Sequence, residues 1–284
     1  MDADEEAGPG ALFVRRGEEY VATELTQGPW NPDHQHGGPV CALLATVIES
    51  VPTLVPMRCG RLTVDLVRTV PVAALGSRTR VLREGKRVQL VEAALEFDGV
   101  DVAHATALRV RIGSTPDALT HPRRPDESPP RAPQGHSGSA LELAGLPVPG
   151  FIRAIDMDRV VGGHGEGAPA MTWYRLRVPL VDDEPASPLA RLALFADFTS
   201  GSANFLPMTR WSSINADVNM NVLREPVGEW IGVDAVAHAA GDGIGHSRAL
   251  FFDAQGLVGS GGTMQVVDEV AAPFAKLTQL GELS

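Results

Sequence analysis

The stretch SPLARLALFADFTSG, Ser187 to Gly201, raises the first chemical question. From Leu189 to Phe198 only Arg191 and Asp197 break an otherwise apolar run. A helix that is hydrophobic all round is a buried one. An aspartate near its C-terminus faces the negative end of the helix dipole and gains nothing there. Burying that carboxylate unpaired costs several kcal/mol or forces it to take up a proton. Asp197 therefore reads as a functional carboxylate, a candidate general base. The plainer reading makes it a turn residue facing water before Thr199, Ser200 and Gly201.

Two amides are further candidates. In INADVNMN, Asn215, Asp217, Asn219 and Asn221 alternate with Ile214, Ala216, Val218 and Met220, so period two gives the polar set one face of a strand. That face is solvated at Asn219 and Asn221, whereas Asn215 at the strand entrance can reach a site, donating to an oxyanion or accepting from water. Gln265 in GTMQ sits in a run otherwise small or aliphatic, and its amide suits water positioning. In HQHGGP, His34 and His36 lie two apart with no third ligand nearby, a weak metal signal, and they read more simply as a loop before a helix. Gly37 and Gly38 open that helix, and exposed N–H groups there suit an oxyanion or a phosphate. Cys41 within the helix reads as a small core residue. GDGIGHS, Gly241 to Ser247, is a strand connection with no helix to cradle a phosphate.

The elements that position these residues occur twice. A mostly apolar helix, HGGPVCALLATVIESV (His36–Val51), precedes RLTVDLVRTVPV (Arg61–Val72), SRTRVLRE, KRVQLVEAALEF, a turn at Asp98-Gly99, and VDVAHATALRVR. The Asp-Gly pair is a strong hairpin signal. A helix over Ser187–Ser200 then precedes SSINADVNMNVLREPV (Ser212–Val227), EWIGVDAVAHAA, HSRALFFD, a turn at Gln255-Gly256, and LVGSGGTMQVVDE. Helix then antiparallel strands, stated twice, implies an α+β fold made of a duplicated unit, a sheet wrapped around one long helix. The units span 1–112 and 151–284, joined by a Pro/Gly-rich linker over 113–150, and their sheets are expected to meet edge to edge. Counting from Pro39 and Pro188 sets Asp197 opposite Ile48. Counting from Gly99 and Gly256 sets Gln265 opposite Leu108. One copy is aliphatic where the other is polar, as in a pseudo-symmetric protein with one active site.

Composition narrows the class. A net charge of −11 argues against nucleic acid as a partner. Two cysteines, Cys41 and Cys59, without metal spacing argue against a disulfide framework or a zinc site. The acidic start MDADEEAGPG is unlike a signal peptide, and no apolar run reaches membrane-spanning length, so a cytoplasmic protein with no membrane partner is expected.

From Glu24 to Val270, outside the linker, the order of these motifs resembles the double hotdog acyl-CoA thioesterases, the group of bacterial acyl-CoA thioesterase II. The resemblance rests on HGGPVCALLATVIESVP, LVRTVPV and VLREGKRVQLVEAAL, and on LALFADF, INADVNMNVLREPVGEW and DAQGLVGSGGTMQ. It implies hydrolysis of acyl-CoA, or of a related acyl-carrier thioester, by a water held between an aspartate, a hydroxyl residue and a glutamine. Asp197 and Gln265 match the first and last, and Asn215 stands where the family has serine or threonine. Pro39 follows the glycine pair where an amide N–H is usual. No metal or redox cofactor is implied, and a homodimer is possible. The alternatives are a non-hydrolytic acyl-thioester-binding or biosynthetic hotdog protein, and a hydratase or dehydratase using His34 or His36 as base. Asp197 with Gln265 at the mouth of the acyl tunnel would speak for the first reading, and a histidine with a carboxylate for the last.

Overall fold

The computed structural model describes residues 10–114, 130–135, 148–162, 169–182, 184–204, 206–207 and 210–269. The strands run β1 (Phe13–Arg16), β2 (Glu19–Ala22), β3 (Met57–Asp65), β4 (Ala74–Arg83), β5 (Val88–Phe97), β6 (Val100–Arg111), β7 (Ile155–Val161), β8 (Ala170–Leu176), β9 (Trp211–Asn215), β10 (Asp217–Val222), β11 (Ile231–Ala239), β12 (Ile244–Asp253) and β13 (Gly256–Glu269). The helices are α1 (Gly37–Glu49), α2 (Gly150–Arg153), α3 (Pro188–Ala196) and α4 (Phe198–Ser202).

Local chemistry sets these boundaries. Ser187 caps α3 by accepting from the Ala190 N–H at 3.0 Å, and Pro188 follows at the position where its missing N–H costs nothing. Asp98 and Gly99 join β5 to β6 with both φ angles positive, 51° and 72°, which suits a tight two-residue hairpin. The matching hairpin between β12 and β13 turns on Ala254-Gln255, and Gly256 is already paired with Asp253. The turn therefore lies one residue earlier than the Gln255-Gly256 expected.

All thirteen strands form one antiparallel sheet in the order β1-β2-β4-β5-β6-β3-β10-β13-β12-β11-β8-β7, with β9 also on β13. Arg61–Asp65 of β3 pair with Asp217–Asn221 of β10 across the middle of it. The long, nearly wholly buried α1 lies against β3–β6 and against α3, which itself packs on β10 and β11. A second tie runs elsewhere: the Phe13 N–H donates to the Leu180 carbonyl at 2.9 Å, and Asp182 donates back to Phe13 at 2.8 Å.

Several expected elements differ. The helix over Ser187–Ser200 is divided at Asp197 into α3 and α4. The strand expected over Arg61–Val72 is Met57–Asp65, and the chain beyond it leaves the sheet. The strand expected over Ser212–Val227 is broken at Ala216. Strands β1, β2, β7 and β8 carry no strong periodic signal and were not expected. Much of the 113–150 linker lies outside the described residues, but 130–135 are not a free crossing. Arg131 pairs with the nearly buried Asp158 at 3.1 Å, and Trp173 donates to the Arg131 carbonyl at 2.6 Å, fixing this segment on β7 and β8.

On the proposed division into 1–112 and 151–284, separating the halves would expose the β3 and β10 edges and strip Phe13 of its partners. Unpaired edges invite association. Each half expressed alone is expected to aggregate or unfold, and a monodisperse, cooperatively melting half in sedimentation and thermal scans would refute the division.

Candidate active site

Asp197 joins α3 to α4, and its carboxylate leaves the helix axis towards the first turn of α1. It is 4% exposed. A Cβ added at Gly37 would lie 2.6 Å from Oδ1 and 2.8 Å from Oδ2, so the carboxylate rests directly on that glycine. The apparent misfit of an aspartate at a helix C-terminus is thereby resolved. The carboxylate lies at the positive end of the neighbouring helix, where a negative charge is stabilised.

His36, the cap of α1, places Nδ1 2.8 Å from Asp197 Oδ2. Two lone pairs at that distance repel, so a proton lies between oxygen and nitrogen. The Gly38 N–H donates to the same Nδ1 at 3.1 Å when that nitrogen carries no proton, so the capping bond and the contact with Asp197 compete for it. Phe198 stacks on the imidazole at 4.9 Å and Phe151 tilts against it at 4.8 Å. No protein partner is made by Nε2 among the described residues, and the ring is partly open, at 15% exposure. His36 was read from the sequence as part of a loop before the helix, and as a base only in the hydratase or dehydratase alternative. The signal for it was its position as the N-cap before Gly37-Gly38, which aims its side chain at the helix start.

Asn215 is held to Asp197 twice: its Nδ2 donates to Oδ1 at 2.6 Å and to the Asp197 carbonyl at 2.9 Å. Both amide hydrogens are spent, so the oxyanion-donor role open to it in the sequence is not available. Its Oδ1 is buried and has no protein partner among the described residues. Ala216 explains why Asn215 reaches the site at all. Asn215 pairs with Gln265, but Asn219 pairs with Gly262, so one extra residue is inserted on this side. Such a bulge re-aims the side chains on either side of it. Asn215 and Ser213 turn to the site while Ile214 is exposed, and past Ala216 it is Val218 and Met220 that are buried.

Gln265 is not brought to Asp197. Its Nε2 donates to the Ser247 hydroxyl at 2.7 Å and to the Thr263 hydroxyl at 2.8 Å, and its Oε1 accepts from Ser213 at 3.2 Å. This is a satisfied polar cluster behind the site wall, because the register that sets Gln265 beside Asn215 also sets it over Ser247. The glycines separate too. Gly37 lines the cavity, whereas a Cβ on Gly38 would meet the Leu194 carbonyl at 2.6 Å, so Gly38 serves the close packing of α1 on α3. Burial, then the charges of Asp197 and Asp217, push the Cys41 thiol well up, and burial lifts Cys59 to about 12, so neither is a nucleophile at neutral pH. Among the described residues no cluster of three or more His, Cys, Asp or Glu could hold a metal. No described helix is long and apolar enough to cross a membrane.

The internal comparison also shifts by one residue. Cys59 pairs with Arg109 just before a register shift in β3, as Asn215 pairs with Gln265 before Ala216. Arg109, not Leu108, thus occupies the place of Gln265. Its buried guanidinium donates to the Val51 carbonyl at 2.6 Å, to the Ile48 carbonyl, and to Gln89 at 3.1 Å. A cation closes the C-terminus of α1, while a carboxylate turns out of the corresponding end of α3.

His36, Gly37, Asp197 and Asn215 lie on one cavity of about 470 Å³, within the range of small-molecule sites. Much of its lining is apolar, including Trp30, Val40, Leu66, Val70 and Met157.

The family model of the acyl-CoA thioesterase N-terminal domain matches residues 26–110, and that of the acyl-CoA thioesterase C-terminal domain matches residues 122–265. No curated protein is similar enough in sequence to match the chain. Among solved structures, a protein assigned as a thioesterase II from Thermobifida fusca superposes with a TM-score of 0.67 at 18% identity, covering 91% of this chain and 96% of that one. An acyl-CoA thioesterase II from Mycobacterium marinum gives 0.61 at 17% identity, over 88% and 97%. A protein with the hotdog fold from Alicyclobacillus acidocaldarius gives 0.64 at 18%, over 91% and 96%. At these identities the likeness establishes the hotdog fold.

Proposed function

Since this chain belongs to the acyl-CoA thioesterase family and is a thioester hydrolase, we propose that it cleaves acyl-CoA with a water activated jointly by His36 and Asp197. The two halves are read as two hotdog units sharing this one site. The observation that carries the mechanism is the 2.8 Å contact between His36 and Asp197 on the cavity wall. Asp197 holds the Nδ1 proton, which leaves Nε2 as the basic nitrogen. A water donates its proton to Nε2 as its oxygen attacks the thioester carbon. Asp197 stabilises the imidazolium so formed, as a buried carboxylate does for a catalytic histidine. The first-turn N–H of Gly37, a donor without an intrahelical partner, receives the oxyanion. Collapse of the tetrahedral intermediate breaks the C–S bond, and the imidazolium returns its proton to the departing thiolate.

Asn215 fixes the carboxylate in this scheme. Hydrogen bonds to a charged group contribute about 1.5–3 kcal/mol, roughly 10- to 10²-fold in rate if the loss falls on the transition state. Asn215→Ala is therefore expected to lower kcat by that factor. Asn215→Thr should recover part of it, because a hydroxyl can still donate to Oδ1. Steady-state assays of free thiol on one acyl-CoA rank the three, and equal rates would remove Asn215 from the site.

The same histidine–carboxylate pair favours a second reading, hydration of an enoyl thioester. The assay separates them: hydrolysis releases thiol, whereas hydration consumes the enoyl absorbance and leaves the thioester intact.

A further inference from the structure

One wall of the cavity carries more hydrogen-bond donors than the protein satisfies. Thr172 and Tyr174 point from β8 to the same face, and Ser200 and Ser202 reach the cavity from α4. The Tyr174 phenol and the Ser202 hydroxyl are 2.7 Å apart, and Thr172 stands two residues before Tyr174 on the same strand face. Burial pushes the phenol's pKa up, so it keeps its proton. Among three hydroxyls in a row at most two O–H donors are taken up by one another, so at least one is left over. The Ser200 hydroxyl makes no protein hydrogen bond among the described residues and adds another. All four side chains are at most 8% exposed. An alkyl chain against this wall would leave those donors without acceptors, which disfavours its binding.

We infer that the acyl group carries an oxygen acceptor beyond the thioester (a hydroxyl, oxo or carboxylate group), and that the Thr172–Tyr174–Ser202 wall with Ser200 recognises it. The inference rests on the hydrolase reading only for where the acyl group lies.

The test compares hexanoyl-CoA with 3-hydroxyhexanoyl-CoA and adipyl-CoA on the full chain. At least one oxygenated substrate is expected to exceed hexanoyl-CoA about 10-fold or more in kcat/KM, the scale of leaving a buried donor unpaired. Ser202→Ala and Tyr174→Phe should each bring that ratio towards one, by slowing the oxygenated substrate and by relieving hexanoyl-CoA of a donor it leaves unpaired. Adipyl-CoA ahead of the hydroxyacyl substrate would identify the acceptor as a carboxylate. A preference for hexanoyl-CoA, or a ratio unmoved in both variants, overturns the inference. Turnover of none of the three overturns the hydrolase reading instead, and the calorimetric Kd ratio on the same panel then decides whether the wall selects oxygenated acyl groups.

Discussion

Asp197→Asn is expected to keep its fold and lose about 10²- to 10⁴-fold in kcat/KM, the range for removal of a general acid–base group. His36→Gln should lose a similar factor. The double variant should be little worse than either single one, because groups that act as a unit are non-additive. The reason lies in the 2.8 Å contact: an asparagine amide cannot hold the Nδ1 proton as a carboxylate does, and without the imidazole the carboxylate has no route to the water. Thermal melting checks that each variant folds, and release of thiol from an acyl-CoA measures the rest. Independent, multiplying losses would make Asp197 and His36 separate actors. An active His36→Gln would return the base to Asp197 alone.

The order of the fold was legible because it is local. Apolar helices opened by caps, and strands separated by Asp98-Gly99 or a similar turn, declare themselves in windows of a dozen residues. Asp197 was legible for the same reason: a carboxylate in an apolar helix is an anomaly that needs no partner to be noticed. Its partners were not legible, because they depend on how α1 and α3 lie against each other. His36 belongs to the site only because its helix starts where α3 ends. Asn215 faces Asp197 only because Ala216 adds a residue to the strand. Strict alternation puts Asn215 and Asp217 on one face, and no sequence period records the bulge. The surroundings of Gln265 were hidden in the same way. Its identity was informative, but the side chain is taken up by Ser247 and Thr263, strand neighbours that only the register brings to it. Counting from one hairpin glycine to the other erred by one residue, because Gly256 follows its turn whereas Gly99 lies within it.

Gly37→Ala and Gly38→Ala, one residue apart, are expected to fail in different ways. Glycine to alanine in a helix ordinarily stabilises by about 0.5–1 kcal/mol. At Gly37 the added Cβ would meet the Asp197 carboxylate, 2.6 Å from Oδ1 and 2.9 Å from Cγ. That carboxylate is the end of a side chain and can swing aside, so the fold survives with little change in melting temperature. The swing breaks the contact with His36 and the hydrogen bond from Asn215, and misplacement by about 1 Å can cost 10²-fold in rate. At Gly38 the Cβ would meet the Leu194 backbone carbonyl at 2.6 Å and Phe151 at 3.1 Å. A backbone carbonyl inside α3 cannot swing, so the two helices must separate, and overpacking of this kind costs about 1–3 kcal/mol. Gly38→Ala should therefore melt several degrees lower, with activity at low temperature reduced less than in Gly37→Ala. Denaturation midpoints and kcat/KM on the same two proteins decide it. If Gly37→Ala were the less stable and Gly38→Ala the less active, the carboxylate would not rest on Gly37 as described.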